Sequence, residues 1–167
     1  MAAVTHELEH IRKLATADRD KRCGKLYRLV RKMDMLNSAW AHVKANKGSR
    51  TPGVDGMTRD DVNADELTRL HEELMTGVYQ PVPVKRTYIP KKRRGKSRAK
   101  KKRPLGIPSL RDRTVQEAAR RVLEAIYEED FVGFSYGFRP GRSQHQALDA
   151  LYVALTAWIS LSYGRGS

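Results

Sequence analysis

The strongest constraint on the fold is a run of positive charge near the middle of the chain. Residues 91–103 read KKRRGKSRAKKKR, and ten of these thirteen residues are lysine or arginine. No acidic residue occurs from Val82 to Ser109, where Lys85 and Arg86 raise the local charge to +12. Mutual repulsion disfavours the packing of such a segment into a core. We therefore predict that its middle is a mobile hairpin tip between two flanking strands.

The charge also restricts the classes of partner. The chain carries a formal net charge of +14, which calls for a polyanion, with nucleic acid favoured over an anionic membrane surface. The first residues lack the apolar core of a signal peptide, and no window approaches the roughly 18 apolar residues of a membrane span. We expect a cytoplasmic protein without a membrane partner. The single cysteine, Cys23, allows neither an internal disulfide nor a zinc cluster, and we expect a semi-buried thiol.

Residues 1–20 indicate a weak helix or a frayed end. From Gly24 to a stop at Gly48, apolar residues recur at helical spacing over about five turns. These apolar residues are Leu26, Leu29, Val30, Met33, Leu36, Trp40 and Val43. The other faces are basic, and form either a solvated surface or one that lies along phosphates. Their residues are Lys25, Arg28, Arg31, Lys32 and Lys44.

Local signals predict the elements that follow. Residues 47–56, KGSRTPGVDG, form a turn-rich loop. Thr58 and Asp61 are typical of a capping box for a helix that ends at Gly77 and carries Leu67, Leu70 and Leu74. Val82–Ile89 suits a strand ended by Pro90, and Leu105–Pro108 a second, short strand. An amphipathic helix is expected next, with apolar positions Val115, Ala118, Ala119, Val122, Leu123 and Ile126.

A last helix is expected after an aromatic and glycine-rich loop, Phe131–Arg142. Ser143 is its predicted N-cap. Its apolar positions are Ala147, Leu148, Leu151, Leu155 and Trp158.

Several short segments occur in an order that is itself informative. They are YIPK at 88–91, GK at 95–96, RPLGIP at 103–108, RDR at 111–113 with Gln116, and FSYGFRPGRSQH at 134–145. This series resembles the first reverse-transcriptase blocks of group II intron-encoded proteins. Upstream, PGVDG at 52–56 resembles the block that those proteins place before the fingers. The resemblance covers residues 24–155.

The resemblance implies an α+β chain, a partial right-hand polymerase fold with N-terminal helices, a fingers β-hairpin and palm-edge helices. The expected boundaries are an N-terminal tail or frayed helix at 1–23, an N-terminal extension at 24–80, and fingers with the start of the palm at 81–157. Residues 158–167 depart from the family pattern and look like a truncated or frameshifted end. The implied activity of the full-length relative is RNA-directed DNA polymerisation together with assistance to intron splicing.

The resemblance also implies roles for individual residues. Lys91 and Arg103 match positions that contact the triphosphate of the incoming nucleotide, and Ile107 one that packs near the templating base. Lys85 and Arg86 would lie along the template strand. Gly53, Asp55 and Gly56 would contact template or intron RNA, or serve turn geometry alone. The remaining candidates for nucleic-acid binding are Lys92, Arg93, Arg94, Lys96, Arg98, Arg111, Arg113, Arg139 and Arg142.

Within the aromatic loop, Arg139 and Arg142 would hold either the template backbone or a carboxylate of the palm. Phe134, Tyr136 and Phe138 would stack on bases, although for the phenylalanines a seam between fingers and palm is preferred. His145 is expected to be a structural hydrogen-bonding residue.

Two departures from the family pattern bear on activity. The segment between Lys91 and Arg103 is longer and more basic than usual, which weakens the placement of Lys91 against a triphosphate. Polymerisation uses Mg²⁺ ions held by paired carboxylates, which the family supplies from FFD and YADD segments that are absent here. We therefore expect no catalytic residue, metal site or cofactor in this chain, and RNA binding without primer extension. Whether it counts as an enzyme stays open.

The partners expected are intron RNA or an RNA template, and an RNA–DNA duplex. Two alternatives remain: a split subunit completed in trans by a palm-containing chain, and a standalone basic RNA-binding protein.

Overall fold

A computed structural model describes residues 2–17, 25–90 and 102–163 of the chain. It divides into two units, Met1–Ala125 and Ile126–Ser167. The predicted tip of the basic segment and Cys23 lie outside the described residues.

The fold is mixed, with helices and a two-stranded antiparallel sheet, and the α+β expectation is confirmed at this level. The elements are α1 (Ala2–Ala17), α2 (Leu26–Val30), α3 (Met33–Ala45), a 3₁₀ turn (Lys47–Arg50), α4 (Ala64–Thr76), β1 (Lys85–Pro90), β2 (Lys102–Ile107), α5 (Leu110–Asp130) and α6 (Gln144–Tyr163). Among these helices, none is both long enough and apolar enough to cross a membrane. The proposed domain boundaries stay a prediction.

The N-terminal region differs from the single long helix that periodicity predicts. The chain leaves helical geometry at Lys32, whose φ of −63° and ψ of 137° are extended, and this separates α2 from α3. The freed carbonyl of Arg31 accepts a hydrogen bond from Nδ1 of His71, 2.7 Å away on α4. A side chain of α4 therefore satisfies one of the backbone carbonyls that the break leaves outside the helix.

The core of the first unit lies between α3, α4 and the start of α5. Trp40, Val43, Val62, Leu67 and Leu110 form one buried cluster. Further buried side chains include Met35, Leu36, Leu70 and Leu74, and α1 contributes Val4, Ile11 and Ala15. The burial of this apolar area is the main stabilising term for the unit. The residues predicted for the inner face of α4 are confirmed.

The start of α4 corrects one prediction. Thr58 and Asp61 do meet, with the Thr58 backbone N–H 2.7 Å from Asp61 Oδ2. They close a turn before the helix and do not cap it. The N-cap is Asn63, whose side-chain oxygen accepts from the Glu66 backbone N–H at 3.0 Å. The predicted stop is confirmed, since Gly77 adopts the left-handed conformation with φ 77°.

The buried face of helix α5 overlaps the predicted one only in part. Ala118 and Val122 are buried as expected, but Leu123 is exposed. The buried face includes three polar residues, Asp112, Thr114 and Glu117. Hydrophobic periodicity misses this face because it counts only apolar side chains.

Glu117 and Arg121 link α5 to α3. Its carboxylate receives hydrogen bonds from Arg120 and from Arg121 Nε at 2.8 Å, and His42 Nδ1 lies 3.1 Å away. Arg121 also donates to Ser38 Oγ of α3 at 2.6 Å. Burial alone would raise the pKa of Glu117, but the hydrogen bonds from Arg120 and Arg121 outweigh it and lower the pKa to about 2.

The second unit is built around one loop and one helix. Ser143 and Gln146 form a reciprocal cap at the start of α6, with the Gln146 N–H donating to Ser143 Oγ and the Ser143 N–H to Gln146 Oε1. The predicted N-cap is therefore confirmed. The apolar side chains of α6 are exposed in the structure, and they include Leu148, Leu151, Tyr152, Val153, Leu155 and Trp158.

We predict that Glu117→Gln lowers the free energy of unfolding by about 2 kcal/mol at neutral pH, because it removes the negative charge and one of the two oxygens that accept from Arg120 and Arg121. The pKa falls from 4.5 to about 2 on folding. The stabilisation is therefore complete above pH 4.5 and is lost as the pH falls toward 2. Urea titrations at several pH values measure both effects.

The matched control is Glu124→Gln, which breaks only the outer pair with Arg120. It should change stability by a few tenths of a kcal/mol, as is usual for exposed pairs. Equal losses in the two variants would contradict the assigned role of Glu117.

Candidate nucleic-acid interface

The basic segment is carried by an antiparallel hairpin whose register is fixed. Lys85 pairs with Ile107, Thr87 with Leu105, and Ile89 with Arg103. Because paired residues of an antiparallel ladder share a face, these six side chains lie on one side of the hairpin. The other side carries Arg86, Tyr88 and Pro90 of β1 with Gly106, Pro104 and Lys102 of β2.

Both sides of the hairpin face solvent. Along the two strands only Ile89 and Ile107 are partly buried. Four cations, Lys85, Arg86, Lys102 and Arg103, are exposed there. The predicted contacts Lys91, Lys92, Arg93, Arg94, Lys96 and Arg98 lie outside the described residues. The described strands thus present at least four cations on an exposed, projecting surface.

The hairpin brings together two of the three residues predicted to bind a nucleotide. Arg103 and Ile107 are four residues apart in β2, and because side chains of a strand alternate between its two faces, these two share a face. Arg103 is exposed and Ile107 is partly buried. Their roles toward a nucleotide stay a prediction.

The segment that leads into the hairpin is bound to the first turn of α5. Asp112, only 4% exposed, accepts a hydrogen bond from the Tyr79 hydroxyl and another from the Val82 N–H at 3.3 Å. Burial and this carboxylate raise the pKa of Tyr79 well above its usual range. The Tyr79 hydroxyl therefore stays protonated and continues to donate at neutral and mildly alkaline pH.

The segment that leaves the hairpin is bound to the same turn. Ser109 Oγ accepts from the Asp112 N–H at 3.0 Å, and Arg113 Nε donates to the Pro108 carbonyl at 3.0 Å.

The PGVDG loop at 52–56 also packs against Ser109. A Cβ on Gly53 would lie 2.8 Å from the Ser109 Cα, so this glycine permits a close backbone approach.

Two arginines predicted to contact RNA are bound within the protein. Arg113 donates to the carbonyls of Gly48 at 2.7 Å and Thr51 at 3.1 Å, which joins the 3₁₀ turn to α5. Arg111 lies between Glu66, 3.1 Å away, and Glu73, both on α4. Their predicted contacts with nucleic acid stay untested, but both guanidinium groups already serve the packing of this unit.

A third such arginine organises the loop of the second unit. The Arg139 side chain is 6% exposed and donates to Glu128 at 2.7 Å and to the Ser135 carbonyl at 2.9 Å. Its guanidinium lies 4.9 Å from the centre of the Phe131 ring. Arg142 is exposed and lies over the ring of Tyr136 at 5.6 Å. The half-buried carboxylate of Glu128 thus binds Arg139 within its own unit, and the contacts predicted for Arg139 with the template backbone or a carboxylate of the palm stay a prediction.

The three phenylalanines of this loop, Phe131, Phe134 and Phe138, are exposed. Phe134 is 80% exposed, and Phe138 is fully exposed with a positive φ of 58°. A non-glycine residue in this region stores backbone strain. The predicted seam between fingers and palm stays a prediction.

Sequence reasoning missed the residues that hold the hairpin. Tyr79 lies in a segment of mixed character and carries no recognisable motif. Asp112 offers a signal in retrospect, because it is the first acidic residue after Glu73 and stands between two arginines. A lone carboxylate after so long an acid-free stretch indicates a structural acceptor. The described residues bring together no group of three or more metal-ligating side chains.

Comparisons with known proteins bear on the identity of the chain. No protein-family model matches it. Protein YkfC of Escherichia coli is 44% identical over 151 residues, which is 87% of this chain and 38% of YkfC. The group II intron-encoded protein LtrA of Lactococcus lactis is 40% identical over 86% of this chain and 23% of LtrA. A 91 kDa protein in the cob intron of Schizosaccharomyces pombe is 40% identical over 75% of this chain and 15% of its own length.

The chain is a homologue of group II intron-encoded proteins and intron maturases, and the resemblance drawn from its motifs is confirmed. Relative to particular members, it spans 38% of the length of YkfC and 23% of that of LtrA.

We predict that Arg113→Ala and Arg103→Ala differ in their effect on stability. Removing Arg113 leaves three carbonyls without their donor and should cost about 2 kcal/mol of unfolding free energy. Removing the exposed Arg103 should change it by less than about 0.5 kcal/mol. Denaturant titration of both variants measures this, and equal losses would contradict the division between structural and exposed arginines.

Proposed function

We propose that this chain binds intron RNA or an RNA template through the β1–β2 hairpin and the basic segment that the hairpin carries. The observation that supports this most is the exposure of both hairpin faces in a stretch that carries +12 and no acidic residue. A partner that neutralises such a stretch must itself be a dense polyanion. Homology to a group II intron-encoded protein favours RNA as that polyanion.

The four described cations of the hairpin suit phosphate contacts. Lys85, Arg86, Lys102 and Arg103 are exposed on strands that hold their spacing. Arginine grips a phosphate with two parallel hydrogen bonds, while lysine acts as a point charge. A twisted two-stranded ribbon with cations on both sides can follow a backbone groove of an RNA or RNA–DNA duplex.

Within a longer polymerase of this type, we propose that Arg103 and Lys91 bind the triphosphate of a nucleotide and that Ile107 lies near the templating base. Lys85 and Arg86 then follow the template strand. Cations around a transferred phosphoryl group are what this chemistry requires. RNA-directed DNA polymerisation itself needs carboxylates that hold Mg²⁺, and the sequence contains no FFD or YADD segment. We therefore propose that this chain alone binds RNA without extending a primer.

A second candidate is a subunit completed in trans by a palm-containing chain. The exposed apolar side chains of α6, among them Leu151, Leu155 and Trp158, favour it, because apolar patches of this kind mark contacts with other polypeptides. Primer extension by a mixture of the two chains, and by neither alone, is the result that would support it.

We predict that Arg86→Ala and Arg103→Ala each weaken RNA binding and reduce its dependence on salt. Each lost phosphate contact lowers the slope of log K against log[salt] by about 0.7–0.9. The double variant should reduce the slope by roughly twice that amount. Fluorescence anisotropy with a structured intron RNA, across a potassium chloride series, measures it.

The control is Lys13→Ala, which removes one exposed charge from α1. It should leave both affinity and slope nearly unchanged, because Lys13 lies on α1 and is not part of the proposed interface. If Lys13→Ala matches the hairpin variants, binding follows net charge and the proposed interface is wrong.

A further inference from the structure

Both ends of the basic hairpin converge on a single helical turn. The entering segment reaches it through Tyr79 and Val82, and the leaving segment through Pro108 and Ser109. The residues that receive them, Asp112 and Arg113, are consecutive in the first turn of α5. We call this turn, Ser109–Arg113, the hairpin mount.

The hairpin depends on such a mount because its strands bury little. A two-stranded ribbon is at best marginally stable by itself in water. Side chains on β1 and β2 are exposed except for the partly buried Ile89 and Ile107. The direction in which the hairpin projects must therefore be set at its base.

The chemistry of the mount suits this purpose. Asp112 is buried and uses different carboxylate oxygens for its two partners, Oδ1 for the Tyr79 hydroxyl and Oδ2 for the Val82 N–H. Two bonds from one side chain to points three residues apart fix both position and direction of the entering segment. Charge-assisted bonds of this kind are stronger than neutral ones.

The mount is itself immobilised from the other side. Arg111 pairs with Glu66 and Glu73 of α4, and Arg113 binds the carbonyls of Gly48 and Thr51. Arg111 and Arg113 thus bind the turn to the rest of its unit, and Asp112 binds the segment that enters the hairpin.

We infer that Tyr79 and Asp112 are positioning residues, which orient the basic hairpin so that the chain distinguishes a structured RNA from a generic duplex. The inference rests on the proposed RNA-binding function. Charge alone attracts any nucleic acid to a similar extent, whereas recognition of a particular RNA shape requires cations held in a fixed arrangement. A loosened hairpin retains its charge and loses its arrangement.

The test uses Tyr79→Phe in the full chain, which removes one hydroxyl and keeps the ring. Affinity for a structured intron RNA should fall about 3–10-fold, the equivalent of one net hydrogen bond. Affinity for a generic RNA duplex should stay within about twofold, with an unchanged salt slope, because no phosphate contact is removed. Hydrogen exchange of the RNA-free protein should show faster exchange of the amides in β1 and β2.

The matched control is Tyr27→Phe. The Tyr27 hydroxyl also makes one long-range bond, to the Leu74 carbonyl at 2.8 Å, which joins α2 to α4 and involves no residue of Ser109–Arg113. This variant should leave hairpin exchange and both affinities unchanged. Asp112→Asn keeps one acceptor oxygen, so its loss of affinity for the structured RNA should be no greater than that of Tyr79→Phe. Asp112→Ala keeps none, and its loss of affinity should be greater than that of either variant.

The outcomes separate the two proposals. If Tyr79→Phe weakens both RNAs equally, or if its hairpin exchange equals that of Tyr27→Phe, the positioning role is overturned. If the wild-type chain binds both RNAs equally, binding through charge stands and the positioning role falls. If it binds no RNA, the proposed function fails and the positioning role fails with it.

Discussion

The arrangement of the basic hairpin depends on the hydrogen bonds that the buried carboxylate of Asp112 accepts from Tyr79 and Val82. The side chains of β1 and β2 are exposed except for the partly buried Ile89 and Ile107, so the two strands gain little stability from burial. Their geometry must come from backbone pairing within the hairpin and from bonds at its base. Asp112 supplies the bonds to the entering segment, and the arginines beside it transmit that restraint to α4 and the 3₁₀ turn.

The division of labour among the arginines follows from their surroundings. Arg111, Arg113 and Arg139 have carboxylates or carbonyls within reach and are used for packing. Those of the hairpin strands, Arg86 and Arg103, lie in a stretch with no acidic residue and stay exposed. Arginine side chains thus stabilise the protein where acceptors lie within reach, and in the hairpin strands they are exposed and can bind a polyanion.

Sequence patterns predicted the features that depend on near neighbours. The left-handed stop at Gly77, the cap at Ser143 and the inner face of α4 each follow from residues within one or two turns. Long-range partners could not be predicted this way. Arg113 donates to the carbonyl of Gly48 across 65 residues of sequence. At the helix break near Lys32, the carbonyl of Arg31 accepts from His71 on another helix. From sequence alone, every arginine in so basic a chain is a candidate for nucleic-acid binding. The fold shows which arginines already bind carboxylates or carbonyls of the protein.

Periodicity likewise predicts a helix without showing what covers it. The apolar side chains of α6 recur at helical spacing, yet they are exposed in the second unit. The relatives are much longer than this chain, which spans 38% of YkfC. The exposed apolar side chains of α6 are the basis for the second candidate function.

The central claim, that the β1–β2 hairpin and its basic segment form the RNA interface, is tested most directly by photochemical cross-linking. The chain would be cross-linked to a structured intron RNA, and the modified peptides identified by mass spectrometry. The account predicts that cross-links concentrate within residues 82–109 and are lost from that region at high salt. Cross-links concentrated on α1, α3 or α4, with residues 82–109 unmodified, would contradict it.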